Sequence, residues 1–359
     1  MVVARCLATM VSLFALRAHA GSKCTTDAHT ILQGHDLRSY KIVVTGGDSG
    51  IGLATVEALA RQNATVLIAA YHIAHGQEVA QNVSKRTGND NVSAMAIDLS
   101  NFSSVRSFAN HVLAKFDTVD ILINDAGIAD PIAGIPGITE DGYERVIETN
   151  YLGHFLLTSL LLPVLRTSLR GRVISVSSVA HVTPCALAKR SHNCLSDASN
   201  WFIDVTTPTP NVTVSKNFPA TNYGISKFMQ IAHMTELARR EEQNSGVRAY
   251  SMHPGLVQTA MSKNKFTNAS CVAICLASMG RVVDKCEPGV CPIFPQEAAA
   301  TLAFLSVAKD ADLVNGGYYF ECEPAKRHDP FGWSWDRDPE LLYNASLNWT
   351  GLVGSSSMI

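Results

Sequence analysis

The chain has 359 residues, 47% of them apolar, and a formal net charge of −2 at pH 7. That length suits one large α/β domain or two small ones, and the apolar content supplies a buried core in either case. A charge this close to zero removes the electrostatic case for a nucleic-acid partner and leaves a small soluble molecule as the default ligand.

Residues 1–20 read as a secretory signal peptide, with Arg5 in the n-region, an apolar stretch of eleven from Cys6 to Leu16, and Ala18-His19-Ala20 as a small-x-small cleavage site. Eleven residues are too few to span a bilayer comfortably, and an uncleaved signal anchor in the ER membrane is the competing reading. Removing Cys6 leaves eight cysteines, Cys24, Cys185, Cys194, Cys271, Cys275, Cys286, Cys291 and Cys322, an even number that suits disulfides in an oxidising compartment. Asn-x-Ser/Thr sequons start at Asn63, Asn82, Asn91, Asn101, Asn211, Asn268, Asn344 and Asn348, against roughly three expected from composition. Together these point to the ER lumen or secretion. The cluster Cys271, Cys275, Cys286 and Cys291 lacks the short Cys-x-x-Cys knuckle of a zinc site, so no metal is assigned. Residues 21–40 are polar and unpatterned, a lead-in tied down through Cys24.

The first strong element runs from Lys41. Ile42, Val43 and Val44 form a β-branched run of the kind found in a buried parallel strand, and a glycine-rich turn follows at once. Leu53, Val56, Leu59 and Ala60 then recur at helical spacing, so Gly46, Gly50 and Gly52 lie between a strand end and a helix N-terminus. In that place glycines permit the tight turn, the approach of a pyrophosphate to the backbone and close helix–strand packing. The helix end offers free N–H groups and a partial positive charge to the phosphates. The spacing Thr45-Gly46-x-x-x-Gly50-Ile51-Gly52 resembles that of the short-chain dehydrogenase/reductase family, and the resemblance continues to about residue 350. It implies a doubly wound Rossmann fold with a mostly parallel seven-stranded sheet in one domain, residues 41–359. Thr45, Gly46, Ser49, Gly50, Ile51 and Gly52 are then the first cofactor contacts.

Thr65 to Ala70 reads as the second strand, with Tyr71 just past it at the adenosine ribose. Tyr71 and His72 stand where an acidic residue would favour NAD and an arginine NADP, which leaves the choice between NADP and NAD open. His72 and His75 lack an evident third ligand and read as exposed polar residues. Ala94 to Ile97 is the third strand; the resemblance lays Asp98 and Leu99 along the adenine, with a helix cap for residues 101–111 as the other reading of Asp98. Val119 to Ile123 is the fourth strand, followed by Asn124-Asp125-Ala126-Gly127, where relatives have Asn-Asn-Ala-Gly. Asn124, Ala126 and Gly127 are read as cofactor contacts. The carboxylate of Asp125 keeps an acceptor and loses a donor, which puts the backbone support of this turn in question.

Asn150 lies inside a helical stretch, although Asn is a poor helix former. The resemblance gives it a backbone bulge that holds a water in a proton relay. Arg172 to Val176 is the fifth strand, ending in Ser177-Ser178, and the family motif makes Ser178 the catalytic hydroxyl with Ser177 the weaker candidate. Residues 181–221 break the pattern with prolines, so Ser178 and Tyr223 are 45 positions apart. A similar insertion occurs in the retinol dehydrogenase-like branch and is read as a flap near the substrate.

Tyr223-Gly-Ile-Ser-Lys227 opens the next helix and places a phenol and an amine on one helical face. Val247 to Met252 is the sixth strand, and His253-Pro254-Gly255-x-Val257-x-Thr259 follows. The resemblance makes Pro254, Gly255, Val257 and Thr259 nicotinamide contacts, with residues 260–295 lining the substrate pocket. A helix from Pro295 to Leu305, a seventh strand at Gly316 to Phe320 and a terminal helix around Pro339 to Tyr343 complete the chain.

The expected activity is an NAD(P)-dependent interconversion of an alcohol and a carbonyl on a small, lipophilic substrate of the retinoid, steroid or aldehyde class. Tyr223 is the general acid/base, Lys227 favours its phenolate, Ser178 positions the substrate oxygen and Asn150 holds the relay water. Tyr223 and Lys227 also contact the cofactor, and the family habit implies a homodimer. The alternative is a secreted binding protein that keeps the fold without turnover.

Overall fold

The computed structural model describes residues 26–129, 137–182, 220–255, 257, 293–327 and 334–353. Its centre is a sheet of eight strands: β1 (Lys41–Thr45), β2 (Thr65–Ala70), β3 (Val92–Ala96), β4 (Ile121–Asn124), β5 (Arg172–Val176), β6 (Arg248–Met252), β7 (Tyr318–Phe320) and β8 (Glu323–Pro324). The spatial order is β3-β2-β1-β4-β5-β6-β7-β8, with every neighbouring pair parallel except the antiparallel β7–β8 hairpin. The count exceeds the expected seven by that hairpin, whose two-residue second strand is too short to leave a periodic signal.

Residues of β1 alternate between two cores. Val43 joins Leu67, Leu122 and Val173 beneath the helices α4 (Phe102–Lys115), α6 (Gly153–Arg166), α7 (Ala220–Asn244) and α10 (Asp338–Trp349). Ile42 and Val44 join Val66, Ile68, Ile123 and Ile174 on the other face, under α1 (Ala28–Leu32), α2 (Gly50–Arg61), α3 (Ile73–Thr87) and α9 (Ala300–Val307). Burial on both faces is why these strands read as continuous apolar runs.

Several boundaries differ from the sequence reading. The lead-in contains α1, whose Ala28 and Leu32 are buried with Leu37 in the second core, so the folded unit begins before residue 41. The helix expected from Pro295 to Leu305 is two pieces, α8 (Pro295–Ala298) and α9, parted at Ala299. Before α6 the chain winds through α5 (Arg145–Ile147) and a π-helical turn, Glu148–Leu152. The signal segment, Cys24 and nearly all of the 181–221 insertion and the 260–295 segment lie outside the described residues. No helix among the described residues is long and apolar enough to cross a membrane.

The terminal helix α10 closes the first core. Tyr343 packs edge-on against Phe155, with ring centroids 4.9 Å apart, and His233 of α7 lies against both Phe155 and Tyr343. Tyr143 donates to the Trp349 carbonyl at 2.7 Å, and Tyr151 shares a 2.7 Å hydrogen bond with Ser346. Burial among these rings holds His233 neutral, with its pKa pushed down to about 3. The unfolded chain protonates the same imidazole near its ordinary value of about 6.5, so it binds the extra proton and stability falls as pH drops below that point. His233→Phe should therefore lose less stability than the parent between pH 7.5 and 5.0, by roughly 2 kcal/mol in urea unfolding. An unchanged pH dependence would show that His233 is not held neutral in the fold.

Candidate active site

The sheet reverses its winding between β1 and β4, and in open α/β sheets ligands bind outside the carboxyl ends of the strands at such a point. Thr45 ends β1 and Gly46 turns the chain with φ of 68°, a left-handed conformation that suits glycine. A Cβ at Gly52 would stand 2.3 Å from the Gly46 carbonyl oxygen, so this glycine lets the first turn of α2 fold back on the strand end. Ser49 occupies the N-cap of α2 without a side-chain cap bond, while Gly50, Ile51 and Gly52 form the first helical turn. This cradle fits the phosphates of a nicotinamide dinucleotide: the first N–H groups of a helix lack intrahelical acceptors, and the helix dipole favours anions.

Around it the strands deliver the other expected residues. Tyr71 follows β2 as a largely exposed ring set edge-on to His72, centroids 4.7 Å apart. Asp98 and Leu99 follow β3. Asp98 accepts the Ser100 N–H and hydroxyl, whereas the cap of α4 is Asn101, which accepts the Ser104 N–H at 3.0 Å; the cap role considered for Asp98 belongs to Asn101. Asn124 ends β4 with its amide donating to Thr158, and Ala126 lies against Gly46. A Cβ on Gly127 would be 3.1 Å from the Asn150 side-chain oxygen and 3.5 Å from Lys227 Nζ, which places the turn after β4 against the π-helical turn and α7. Pro254 and Gly255 follow β6, where His253 stacks on Phe320 at 4.1 Å, and Val257 bridges to Ile293. Thr259 lies outside the described residues. Among those residues no group of three or more His, Cys, Asp or Glu side chains is arranged to hold a metal.

Two hydrogen bonds set the helix that carries Tyr223 and Lys227. The buried Lys227 Nζ donates to the Val176 carbonyl at 2.8 Å, and the Ser177 hydroxyl donates to the Lys227 carbonyl at 2.7 Å. Ser177 is thereby occupied in registering α7 on β5. Ser178 remains half-buried at the strand end; it accepts the Ala180 N–H, and its proton meets no acceptor among the described residues. One turn before Lys227, the ring of Tyr223 has its centroid 5.5 Å from the ammonium. Burial pushes the Lys227 pKa down to about 8, against the pull of Asp125.

Asn150 sits in the π-helical turn. Its side chain spans the Ile128 backbone, accepting from N–H and donating to C=O at 2.8 Å each, and also donates to Ser226 at 3.0 Å. Its backbone carbonyl receives Gln230 Nε2 at 2.8 Å and lies 3.0 Å from His154 Nδ1. Both lone pairs are engaged by protein, so a relay water on that oxygen would have to displace one of these donors. Gln230 is not legible as a site residue because its partner is a backbone oxygen 80 positions away, nor is His154, whose partner Thr45 lies 109 positions away.

His154 also explains what supports the Asn124–Gly127 turn. The Asn150 carbonyl can only accept, so Nδ1 carries the proton and Nε2 accepts from the Thr45 hydroxyl at 2.9 Å. The two lone pairs of that hydroxyl receive the Asp125 N–H at 3.0 Å and the Ala126 N–H at 3.1 Å. The support questioned on account of Asp125 thus comes from Thr45. Burial holds His154 neutral, with its pKa lowered to about 4 and the Lys227 charge adding to the shift.

A family profile for short chain dehydrogenases matches residues 40–189. Retinol dehydrogenase 12 of Mus musculus is 31% identical over 85% of this chain and 82% of its own length. The chain is a short-chain dehydrogenase/reductase. Retinol dehydrogenase 13 of Homo sapiens is 32% identical over 77% of this chain and 75% of its own. A solved structure of an uncharacterised protein from Mycobacterium paratuberculosis superposes with a TM-score of 0.57 at 28% identity, covering 87% of this chain and 93% of that one. As a member of this family, the protein is an oxidoreductase that acts on CH–OH groups with NAD or NADP.

Thr45→Val tests the network on which the turn rests. It strands two backbone N–H groups and the His154 acceptor, and should cost on the order of 3 kcal/mol in chemical denaturation, whereas Thr45→Ser should cost under about 1 kcal/mol. Equal losses would mean that the hydroxyl is not the support.

Proposed function

We propose that Tyr223 is the general acid/base of this short-chain dehydrogenase/reductase, working on a small lipophilic alcohol or carbonyl. The observation that carries the reading is the pinned Lys227 ammonium, 2.8 Å from the Val176 carbonyl and 5.5 Å from the Tyr223 ring centroid. A phenol with an ordinary pKa near about 10 is a weak base at neutral pH, and a fixed cation beside it favours the phenolate. Ser178, with its proton uncommitted among the described residues, holds the substrate oxygen and bears part of its developing charge. Asn150 acts as a positioning residue: it joins the Ile128 backbone to Ser226 and so sets the turn after β4 against α7.

Thr45, Gly46, Ser49, Gly50, Ile51 and Gly52 hold the dinucleotide phosphates, Asp98 and Leu99 the adenine, and Asn124, Ala126, Gly127, Pro254, Gly255 and Val257 the nicotinamide half. When bound, the nicotinamide supplies or accepts the hydride. The residues of the chain orient the substrate oxygen and move the accompanying proton at the Tyr223 hydroxyl. Relatives named as retinol dehydrogenases favour a retinoid or a molecule of similar polarity as substrate.

Tyr223→Phe should lower kcat by about 10³-fold or more while NADPH or NADH binding, followed by fluorescence, persists. Full activity in that variant would remove Tyr223 from the chemistry. Retinoids, steroids and fatty aldehydes are the classes to screen with the glycosylated protein.

The same reading places the chain in the secretory pathway. Of the six sequon asparagines among the described residues, Asn63, Asn91, Asn344 and Asn348 are exposed and Asn82 and Asn101 half-buried, so none is sealed in the core. Cys322, in the buried turn between β7 and β8, is read as one of the disulfide-bonded cysteines. Peptide-N-glycosidase treatment of protein made in animal cells should lower its apparent mass; no shift would argue against a lumenal chain.

A further inference from the structure

The site holds a carboxylate for which the reaction above has no use. Asp125 stands in the turn after β4, and its side chain reaches the N-terminal end of α2: a Cβ on Gly52 would lie 2.8 Å from Asp125 Oδ2, and the Gly52 N–H helps to hold the carboxyl charged. The proper N-cap, Ser49, makes no cap bond, so Asp125 serves from a distant strand as the anion at this helix end. The same helix end is the cradle for the cofactor's pyrophosphate. On its other side Asp125 faces Lys227 of α7, and each charge acts on the other.

Two anions therefore claim one helix terminus. We propose that Asp125 makes dinucleotide binding proton-linked: as the phosphates settle on the α2 terminus, the carboxylate takes up a proton from solvent and becomes a neutral acid. Repulsion between a carboxylate and a pyrophosphate in a cleft of low dielectric is relieved most simply by that proton. The free protein is poised for the step, because desolvation already raises the Asp125 pKa to about 7, opposed by Lys227 and by the Gly52 N–H. Among the described residues, His154 of α6 reaches this turn through the Thr45 hydroxyl of β1 and stays neutral, and the first turn of α2 has no acidic residue.

The sign follows directly. The complex binds more protons than the free protein between the free pKa of Asp125 and its higher value in the complex. Affinity for the dinucleotide therefore falls as pH rises above about 7.

The inference rests on the oxidoreductase reading, and isothermal titration calorimetry of the full chain with NADH and with NADPH separates the two. At pH 7.5, binding heats compared across phosphate, HEPES and Tris should report uptake of a fraction of a proton per site, and Kd should weaken roughly fivefold from pH 7 to 8.5. Asp125→Asn should cut the uptake to less than half and flatten the pH dependence of Kd, an effect that a purely structural role would not produce. Binding of either cofactor by the parent without proton uptake overturns the proposal alone, as does an Asp125→Asn variant that keeps half or more of the uptake. No binding of either cofactor overturns the oxidoreductase reading and this one with it. Should the variant fail to fold, the measurement on the parent chain decides.

Discussion

Everything at this site depends on how α7 is fixed to the end of β5. Lys227 is held from both directions, its ammonium on the Val176 carbonyl and its own carbonyl under the Ser177 hydroxyl. A helix fastened at one residue by two bonds to one strand end can neither slide nor rotate without breaking both. Tyr223, one turn earlier, inherits that register. The adjacent serines divide the work, because successive residues past a strand end point in different directions. Ser177 faces the helix and is buried, while Ser178 is half-buried and accepts the Ala180 N–H.

A second constraint links this helix to the glycine turn. From Gln230 on α7 the chain of hydrogen bonds runs to the Asn150 carbonyl, through the His154 ring to the Thr45 hydroxyl, and from there to the Asp125 and Ala126 amides. Each member has a fixed donor or acceptor role, so the network admits one tautomer of His154 and one direction of the Thr45 hydroxyl. Such a network ties the turn after β4 to α7. The π-helical turn at Glu148–Leu152 contributes by turning the Asn150 carbonyl out of the helical ladder toward those side chains.

How much of this is legible in the sequence follows from the range of each interaction. Buried strands with β-branched runs, such as Ile42–Val44 and Val66–Ile68, announce themselves, as do the glycine turn and the Tyr223/Lys227 pair, because each is encoded within a few neighbouring residues. The helix α1 is only five residues long and held by tertiary contact, and β8 is only two, so neither has a period to read. The roles of Thr45 and Gln230 depend on partners more than 70 positions away, at Asp125 and Asn150. For Ser177 and Ser178 the motif already favours the second, while the bond that engages the first, to the Lys227 carbonyl 50 positions away, leaves no local signal.

The pair Asp125–Lys227 belongs to a different category. Opposite charges placed in a cleft floor seldom add stability over a neutral arrangement, since desolvation offsets most of their attraction. Burial pushes both toward neutrality, the carboxylate up to about 7 and the ammonium down to about 8. An asparagine at 125 would fill the same place beside Gly52 without any charge to desolvate, so stability alone gives no reason for the carboxylate. Departures from the least costly local choice concentrate where a protein handles ligands. Here the departure stands between the N-terminal end of α2 and the amine whose nitrogen lies 5.5 Å from the Tyr223 ring centroid. A charge at that point feels both partners of the reaction, and its protonation is the one adjustment that can answer the arrival of an anion without moving the backbone.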